Sequence, residues 1–439
     1  MSFVRNVSGL LLTSVVSIPI AFASSVLLAR FLSVEDRGAY ALLVTFATVA
    51  VIFSQLGWPA ATIFRLRRVQ TPPARVAASG ILVVLTLSAL TVGLCVALRP
   101  DLTERFLGET PATLFFLAVA MVPVQLLSLL FGSLARGIDR FVVQNIYKLL
   151  LGLSTLAAMT YVLVHRGGGI LEVMMASLAV QALGVLGYLV AILRETGFSL
   201  RVDWKEIRES LVFGLKSYLQ ALAGQVHQRV DLFMIAYFLQ DTKQVAFYAI
   251  AAGLVQQLMI IPESVGGAAY PQLAGLRARE GAQFVARVSR QSVLWGLLAA
   301  LSFGAVAPLF VPLVYGEAYA ASVAPLLVLL PAIVLIAIYR VLSRFFTAQD
   351  RQQANIVTQV VSVLVNLILN FLWIPQYGIL GAAAASLVSY GLEALLISAV
   401  FVRLTRTRPS EFLVAGRDDL AEILTRVRAA AERLRRSGP

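Results

Sequence analysis

The chain has 439 residues, of which 59% are hydrophobic and 13% charged, and its formal net charge is +13. A soluble domain is closer to half apolar and a quarter charged, and a water-soluble chain of this composition would have to expose large apolar patches. The composition therefore excludes a soluble globular protein and predicts an integral membrane protein. In that class an excess of basic residues indicates cytoplasmic anchoring, so no nucleic-acid partner is expected.

Twelve apolar segments are long enough to cross a membrane, because about 20 mostly apolar residues span the hydrocarbon. The first segment runs past an Ala-Phe-Ala at residues 21–23, which predicts an uncleaved helix rather than a signal peptide. In chain order the segments are Leu10–Leu32, Gly38–Leu56, Val76–Leu98, Pro111–Leu134, Phe141–Val164, Ile170–Leu193, Leu211–Leu239, Val245–Pro271, Gln291–Val314, Ser322–Phe346, Asn355–Ile374 and Ile379–Val402.

The basic residues set the expected orientation of these segments. With the N-terminus inside, most of the 36 lysines and arginines fall at or near the cytoplasmic face, which is the bias that membrane proteins follow. An odd number of helices would scatter this bias, so both termini are predicted to be cytoplasmic. From Leu420 to Leu434 the basic tail has apolar residues at helical spacing. This pattern predicts an amphipathic helix that rests on the inner leaflet or binds a cytoplasmic partner.

Short matches between the two halves of the chain indicate an internal repeat. Residues 29–32 and 39–41 (Ala-Arg-Phe-Leu and Ala-Tyr-Ala) correspond to residues 236–239 and 247–249 (Ala-Tyr-Phe-Leu and Phe-Tyr-Ala). With six helices each, both halves would have the same orientation, which is the parallel repeat of transporters with a site between the halves. We predict an all-α membrane fold of twelve helices in two six-helix lobes. The predicted parts are a first lobe, a cytoplasmic connection, a second lobe and a basic tail: residues 1–193, 194–210, 211–402 and 403–439.

The rare residue types exclude several kinds of chemistry. Cys95 is the only cysteine, and His165 and His227 are the only histidines. Neither an intrachain disulfide nor a cysteine-rich or multi-histidine metal site is therefore expected. The sequence has no Gly-x-x-x-x-Gly-Lys-Ser/Thr run to bind nucleotide phosphates. We expect no metal, no cofactor and no ATP-driven step by this chain alone.

Ionisable residues inside the predicted membrane segments mark a candidate site, since each costs about 2.5–3.5 kcal/mol at bilayer depth. The seventh segment holds His227, Arg229 and Asp231. Either they line a cavity in which Arg229 attracts an anion and the other two carry a proton, or they bond to neighbouring helices. Glu263 and Glu393 are each compatible with proton exchange or with a neutral, hydrogen-bonded carboxyl.

Other polar residues have two interpretations each. Asn366 and Asn370 share a helical stripe, where they would contact sugar hydroxyls or form hydrogen bonds between helices. Arg340 and Arg344, one turn apart near a cytoplasmic end, would hold a phosphate or extend to the membrane surface. Arg30 ends the first segment at the outer interface and would anchor it there.

Several stretches resemble a known family. They are Leu-Ala-Arg-Phe-Leu at residues 28–32, Glu-Asp-Arg-Gly-Ala-Tyr at 35–40, Tyr-Phe-Leu at 237–239 and, most specifically, Ile-Pro-Gln-Tyr-Gly-Ile-Leu-Gly-Ala at 374–382. Together they resemble the Wzx-type flippases of oligosaccharide lipids, in the multidrug/oligosaccharidyl-lipid/polysaccharide exporter superfamily. The resemblance extends to about Val402 and leaves out the basic tail.

The resemblance implies a V-shaped pair of lobes in a bacterial or archaeal inner membrane. Its cargo would be a polyprenyl-pyrophosphate-linked oligosaccharide, carried from the cytoplasmic to the outer leaflet by alternating access for cell-surface polysaccharide biosynthesis. Membrane lipids and proteins of polysaccharide polymerisation or assembly are the further partners it implies. A gradient of H⁺ or Na⁺ would supply the energy.

The implied roles fall on polar residues inside the predicted membrane segments or at their ends. The head group would meet basic residues, with Arg229 as the first candidate, followed by Arg30, Arg340 and Arg344. The sugars would meet the amides of Gln220, Gln225, Asn366 and Asn370. The coupling ion would act on Asp231, His227, Glu263 or Glu393.

Two rival functions stay open. A cation-coupled multidrug antiporter of the same superfamily would have the same fold, but would favour an acidic, aromatic cavity over a buried cation. A membrane polysaccharide polymerase or ligase would need catalytic residues in a sizeable outer loop. The largest outer loop is about Arg99–Thr110, so no catalytic residue is assigned and a transporter is expected rather than an enzyme.

Overall fold

The computed structural model describes residues 2–107, 110–197, 199, 201–260, 273 and 276–416. Throughout these ranges the regular structure is helical, without strands. The helices up to residue 260 are α1 (Ser2–Phe31), α2 (Val34–Ser54), α3 (Trp58–Phe64), α4 (Pro73–Ala97), α5 (Arg99–Leu102), α6 (Ala112–Gly137), α7 (Phe141–Thr160), α8 (Ile170–Thr196), α9 (Trp204–His227), α10 (Val230–Leu239) and α11 (Thr242–Leu258).

The rest of the described chain is also helical. Short π-helical turns continue α3, α5 and α7 at Arg65–Val69, Thr103–Leu107 and Tyr161–His165, and a 3₁₀ turn covers Glu317–Ser322. The predicted tail helix and Glu263 lie outside the described residues. The later helices are α12 (Ala278–Tyr315), α13 (Val323–Leu329), α14 (Ala332–Ala348), α15 (Gln352–Thr405) and α16 (Pro409–Leu413).

Seven helices in the described ranges are long and apolar enough to cross a membrane, or eight if a bent pair is one span. The chain is thus embedded in a membrane, while the twelve predicted spans and the orientation of the termini stay predictions. Part of the difference between the observed and the predicted number of spans comes from the geometry of the helices. The last two predicted spans lie in α15, whose backbone leaves the helix only at Gly378 (φ 58°, ψ −138°), a conformation that glycine adopts without a Cβ clash. The tenth predicted span is bent by 45° between Leu329 and Ala332.

The helices pack into two compact units. Unit 1 consists of Met1–Ile250, Val311–Ser322 and Asn370–Ile379, and unit 2 consists of Ala251–Phe310, Val323–Leu369 and Leu380–Pro439. The sequence assigns α9 and α10 to the second lobe, yet both belong to unit 1. The predicted lobe boundaries stay a prediction.

Helix α6 lies at the centre of unit 1. It packs against α2, α3, α4 and α8, and its buried side chains include Phe115, Leu126 and Phe131. Burial on several sides suits a helix that is apolar nearly all round. On one side of this core, α7 packs against α1 and α8.

Unit 2 has an aromatic core formed by the ends of several helices. Phe401 of α15 meets Phe345 of α14 edge to face, with ring centroids 5.2 Å apart, and meets Phe412 of α16 at 5.5 Å. Edge-to-face pairs are favoured by the quadrupoles of the rings. Arg290 Nη1 of α12 donates a hydrogen bond to the Glu411 carbonyl at 2.7 Å, which fixes α16 on this core.

Candidate functional site

The seventh predicted span is broken at the residues expected to be functional. Helix α9 ends at His227 and α10 begins at Val230, and Arg229 between them has φ −130°, outside the helical range. Asp231 lies in the first turn of α10, where unpaired N–H groups and the helix dipole favour negative charge. The helix that the sequence predicts to run unbroken through this segment is therefore interrupted between His227 and Asp231.

Asp231 is a buried carboxyl group on which three helices converge. It is 6% exposed. The Tyr248 hydroxyl of α11 donates to Oδ2 at 2.6 Å, and Asn370 Nδ2 of α15 donates to Oδ1 at 2.7 Å. An ionised carboxylate only accepts hydrogen bonds, so two donors suit the charged form. Protonation would require these bonds to rearrange, which links the charge on Asp231 to the packing of α10, α11 and α15.

The predicted site residues that come shortly before Asp231 in the chain are buried or partly buried. His227 is buried at the end of α9, and Gln225 and Arg229 are partly buried. The side chain of Gln220 lies outside the described part of the protein. The roles predicted for these residues stay predictions, but the structure brings together two of the predicted set, Asp231 and Asn370.

Arg30 caps the end of a helix in this structure. Its Nε donates to the Val314 carbonyl at 2.8 Å, and its Nη2 donates to the Leu313 carbonyl. The last carbonyls of α12 have no partners within the helix and carry partial negative charge, which a cation stabilises. Any contact of Arg30 with a head group would compete with these bonds.

Arg37 is a buried cation that the sequence analysis missed. It is 7% exposed, and its Nη2 donates to Ser25 Oγ at 3.3 Å, while its Nε has no hydrogen-bond partner in the described chain. The Tyr315 and Tyr319 hydroxyls lie within electrostatic range. Within the described ranges no carboxylate lies within 4 Å of it. A buried charge without a counter-ion is costly, so Arg37 joins Arg229 as a candidate for binding an anion.

The two segments of the internal repeat lie against each other at the predicted outer face. A Cβ on Gly38 would fall 1.8 Å from the Thr242 carbonyl oxygen, so the starts of α2 and α11 are in backbone contact. Beside them Lys243 Nζ pairs with Glu35 Oε1 at 2.8 Å, and this hydrogen bond raises the pKa of Lys243. Both side chains of the pair are exposed, so the glycine contact matters more than the ion pair.

A second close contact joins α3 and α9 at the predicted cytoplasmic face. Gly57 has φ +71°, and its Cβ would fall 2.0 Å from the Gly214 carbonyl oxygen. The buried Arg65 donates from Nε to Ser210 Oγ at 3.0 Å, and its Nη2 pairs with Glu209 Oε2 at 2.8 Å. Close backbone contact thus joins α2 to α11 at one predicted face of unit 1, and the start of α3 to α9 at the other.

The remaining predicted residues lie in unit 2. Glu393 is buried with Arg340 in electrostatic range, and Arg344 is partly buried one turn after Arg340. Asn366 is fully buried, with Nδ2 3.4 Å from the hydroxyl oxygens of Ser386 and Ser389. These contacts are of the interhelical kind, and contact of Asn366 with a sugar stays a prediction.

The broken helix and the buried ionisable groups at its break define a class of protein. Discontinuous membrane helices whose broken ends face charged groups are the device with which transporters build sites inside a bilayer. The chain is a multi-pass membrane protein with a broken helix of this kind. It belongs to the family of polysaccharide biosynthesis proteins, whose family model matches residues 3–277.

Relatives in this family are flippases and transporters rather than enzymes. The chain is 26% identical over 310 residues to a probable flippase, AglR, of Haloferax volcanii, a match that covers 66% of this chain and 62% of the relative. It is 23% identical over 304 residues to a putative O-antigen transporter of Shigella flexneri, covering 66% and 70%. The chain thus spans less than two thirds of the length of the first of these relatives.

Solved structures show the same fold. The chain is similar to the lipid II flippase MurJ in an inward closed conformation, with a TM-score of 0.75 and 12% identity over 93% of this chain and 89% of that one. It is also similar to an inward-facing multidrug resistance transporter of the MATE family in the MOP superfamily. That match has a TM-score of 0.69 and 15% identity over 89% and 96% of the two chains. The resemblance to polysaccharide-type flippases that the sequence predicts is confirmed by the family model and the curated relatives, and these structures show the fold.

Proposed function

We propose that the protein is a flippase for a polyprenyl-pyrophosphate-linked oligosaccharide. It carries this cargo from the cytoplasmic to the outer leaflet of the inner or plasma membrane by alternating access, in cell-surface polysaccharide biosynthesis. The observation that carries the proposal is the break between α9 and α10, where the partly buried Arg229 lies two residues before the buried Asp231. A pyrophosphate is strongly anionic and needs basic groups where the local dielectric constant is low.

The other predicted residues have subsidiary roles in this proposal. Arg30, Arg340 and Arg344 meet the head group as it enters or leaves, and Gln220, Gln225, Asn366 and Asn370 meet the sugars. The polyprenyl tail stays in lipid. Proteins that polymerise or assemble the polysaccharide are partners on the outer side.

A gradient of H⁺ or Na⁺ drives the cycle in this proposal, through Asp231 first and His227, Glu263 or Glu393 second. The support for Asp231 is geometric. Hydrogen bonds to it come from α11 and α15, so a bound proton or sodium ion would change contacts between helices and not only a local charge. This is the kind of differential interaction that a conformational change requires.

Replacing Asp231 with asparagine is expected to separate transport from the ion gradient. The side chain keeps its size and loses the charge that binds a cation, so transfer between leaflets continues without a response to an imposed pH or sodium gradient. The measurement is leaflet transfer in proteoliposomes with and without the gradient. Asp241→Asn, in the loop after α10, is the control and should respond like the unmodified protein. A gradient response that survives in Asp231→Asn removes this residue from coupling.

Replacing Arg65 with glutamine is expected to loosen the contact between α3 and α9. The variant loses the ion pair with Glu209, so the cytoplasmic face should open about two- to fivefold more often, the equivalent of 0.5–1 kcal/mol for a partly exposed pair. The readout is the rate at which a water-soluble thiol reagent labels the Phe213→Cys variant in a Cys95→Ala background. In the unmodified protein the Phe213 ring stacks on the Phe64 ring, with centroids 4.1 Å apart.

Arg67→Gln is the matched control for this experiment. Arg67 is two residues away and pairs with Asp139 rather than with α9, so labelling should stay at the rate of the parent. Equal labelling in Arg65→Gln and Arg67→Gln would show that the Arg65 contact does not hold this face closed.

The same proteoliposomes test the proposed function as a whole. One leaflet is loaded with a polyprenyl-pyrophosphate oligosaccharide, a proton or sodium gradient is applied, and arrival at the other leaflet is followed. Protein-dependent transfer is expected. No transfer, together with uptake of an organic cation, would instead make the protein an antiporter for cationic drugs.

A further inference from the structure

A small polar cavity lies between α3, α4 and α9 at the predicted cytoplasmic face. Its volume is about 10 Å³, which is close to the smallest space that holds one water molecule. Its lining includes Trp58 and Thr62, one turn apart on α3, together with Ser79 of α4 and Glu206 of α9. All three helices belong to unit 1.

Three of these residues bring buried polar atoms to the cavity. Trp58 Nε1, Thr62 Oγ1 and Ser79 Oγ have no hydrogen-bond partner in the described chain. Hydroxyl groups inside helices commonly donate to a carbonyl one turn earlier, as those of Thr45 and Ser54 do in α2. Thr62 and Ser79 form no such bond, and a buried polar group without a partner is costly. The three atoms therefore require a polar ligand small enough for the cavity.

The fourth residue, Glu206, is a buried carboxyl group. It lies three residues after the N-cap Asp203, a position from which a glutamate often reaches back to the cap. Here its backbone is engaged instead, because its N–H donates to Asp203 Oδ1 at 3.3 Å and its carbonyl accepts from Arg65 Nη2 at 3.1 Å. The Glu206 side chain is 7% exposed and forms no ion pair within the described ranges. Its carboxyl group is therefore left to the cavity.

The charges around Glu206 favour a proton over a metal ion. Burial raises the pKa of this carboxyl group; Arg65 and Arg75 lower the pKa, Asp203 and Glu209 raise it, and the net shift is upward. A carboxyl group with a raised pKa takes up a proton more readily. A metal ion would be repelled by the two arginines, and it would meet the hydrogen of the indole N–H rather than a lone pair.

We infer that this cavity is a proton-binding site, in which Glu206 takes up the proton and one water molecule joins its carboxyl group to Trp58, Thr62 and Ser79. The water molecule accepts from the indole N–H and from the protonated carboxyl group, and it donates to the two hydroxyl oxygens. These are the four hydrogen bonds that a water molecule can form. An ionised carboxylate only accepts, so loss of the proton requires the water molecule to turn and to release a hydroxyl.

The proton is expected to tighten the contact between α3 and α9. When these helices separate, Glu206 meets water and its pKa returns to the ordinary value of about 4.3. The packed form therefore binds the proton more tightly than the open form, and by linkage the proton stabilises the packed form. The contact is firmest below the ordinary pKa and weakens as the pH rises through the raised one.

The proton is tested with the Phe213→Cys protein in a Cys95→Ala background, labelled with a water-soluble thiol reagent at pH 5 and pH 8. Glu206→Gln in the same protein gives the reference rate, since it has the same cysteine and an uncharged side chain of similar size. Relative to this reference, the parent should label faster at pH 8 than at pH 5, by up to about tenfold for each unit by which packing raises the pKa.

Glu209→Gln is the matched control, because it removes an exposed carboxyl group three residues later on α9. This variant should keep the pH dependence of the parent. A parent-to-reference ratio that is equal at the two pH values overturns the proton site. The same result follows if Glu209→Gln removes the pH dependence as completely as Glu206→Gln.

The water molecule is tested by thermal unfolding of Ser79→Ala and Ser88→Ala in detergent. Both serines belong to α4, are buried and have no hydrogen-bond partner in the described chain, but only Ser79 lines the cavity. Ser79→Ala should lower the midpoint because it removes a partner of the water molecule. Ser88→Ala removes an unpaired hydroxyl and should leave the midpoint equal or higher. Equal midpoints for the two variants overturn the water-linked site.

Radiolytic labelling detects the water molecule directly. Trp58 is 3% exposed, so its oxidation by hydroxyl radicals during X-ray irradiation requires water beside it. Ser79→Val, which fills the cavity with carbon, should remove most of this oxidation and leave that of the exposed Trp204 unchanged. Absence of Trp58 oxidation in the unmodified protein overturns the water molecule. None of these measurements uses a cargo lipid, so their failure leaves the proposed flippase function intact, and failure of leaflet transfer leaves the proton site intact.

Discussion

Replacing Arg229 with alanine is expected to reduce transfer of the oligosaccharide lipid between leaflets by about tenfold to a hundredfold, because a hydrogen bond to a charged group contributes about 1.5–3 kcal/mol. The residue lies at the break between α9 and α10 and is partly buried, so a phosphate bound there is little screened by water. The effect should fall on cargo with a charged head group and not on the amount of folded protein.

The controls for Arg229 come from its own position and its neighbour. Arg229→Lys keeps the charge and should retain part of the transfer, whereas it cannot reproduce the forked contacts of a guanidinium. Gln228→Ala changes an exposed residue at the same break and should transport normally. Normal transfer by a well-folded Arg229→Ala would exclude this residue from head-group binding and leave Arg37 as the candidate cation.

The sequence predicts the helical membrane fold well, because long apolar runs leave few alternatives in a bilayer. It does not predict the break before Asp231. The residues between His227 and Val230 include no proline or glycine, the usual signals of a broken helix. Here the contacts of Asp231 with Tyr248 and Asn370 accompany the break, and both partners are distant in the chain.

Arg37 shows why the set of site residues predicted from the sequence is incomplete. In the sequence it follows Glu35 and Asp36, so it has the appearance of a surface charge at the membrane interface. In the structure it lies in electrostatic range of Tyr315, at the end of α12, and Tyr319, in the turn that follows, which come 278 and 282 positions later in the chain. Pairing between such distant segments cannot be inferred from the spacing of residues along one helix.

For the two asparagines on one stripe of α15, the sequence predicts polar contacts but not the partners of those contacts. Regular spacing placed Asn366 and Asn370 together and predicted hydrogen bonding in the membrane. In the structure Asn370 donates a hydrogen bond to the carboxyl group of Asp231, and Asn366 lies beside Ser386 and Ser389. Which of two amides on one face meets a charge is decided by the helix opposite, and this information is absent from the pattern.

Replacing Gly38 with alanine is expected to destabilise the protein by about 3 kcal/mol or more, at the upper end of the cost of overpacking a core. The new methyl carbon would fall 1.8 Å from the Thr242 carbonyl oxygen. That neighbour is backbone at the start of α11 and cannot rotate away, so α2 and α11 must separate. The measurement is the midpoint of thermal unfolding in detergent, followed by fluorescence or by loss of monodisperse protein.

Gly93→Ala is the matched control, because it makes the same change near the C-terminal end of α4 with open space around the new carbon. Alanine is favoured over glycine in a helix by up to about 1 kcal/mol, so this variant should unfold at an equal or higher temperature. The two variants thus shift the midpoint in opposite directions. If Gly38→Ala unfolds at the same temperature as Gly93→Ala, the starts of α2 and α11 are not held in backbone contact. The exposed pair of Glu35 and Lys243 would then be the remaining contact between these two helix starts, and a pair of this kind contributes about 1 kcal/mol or less.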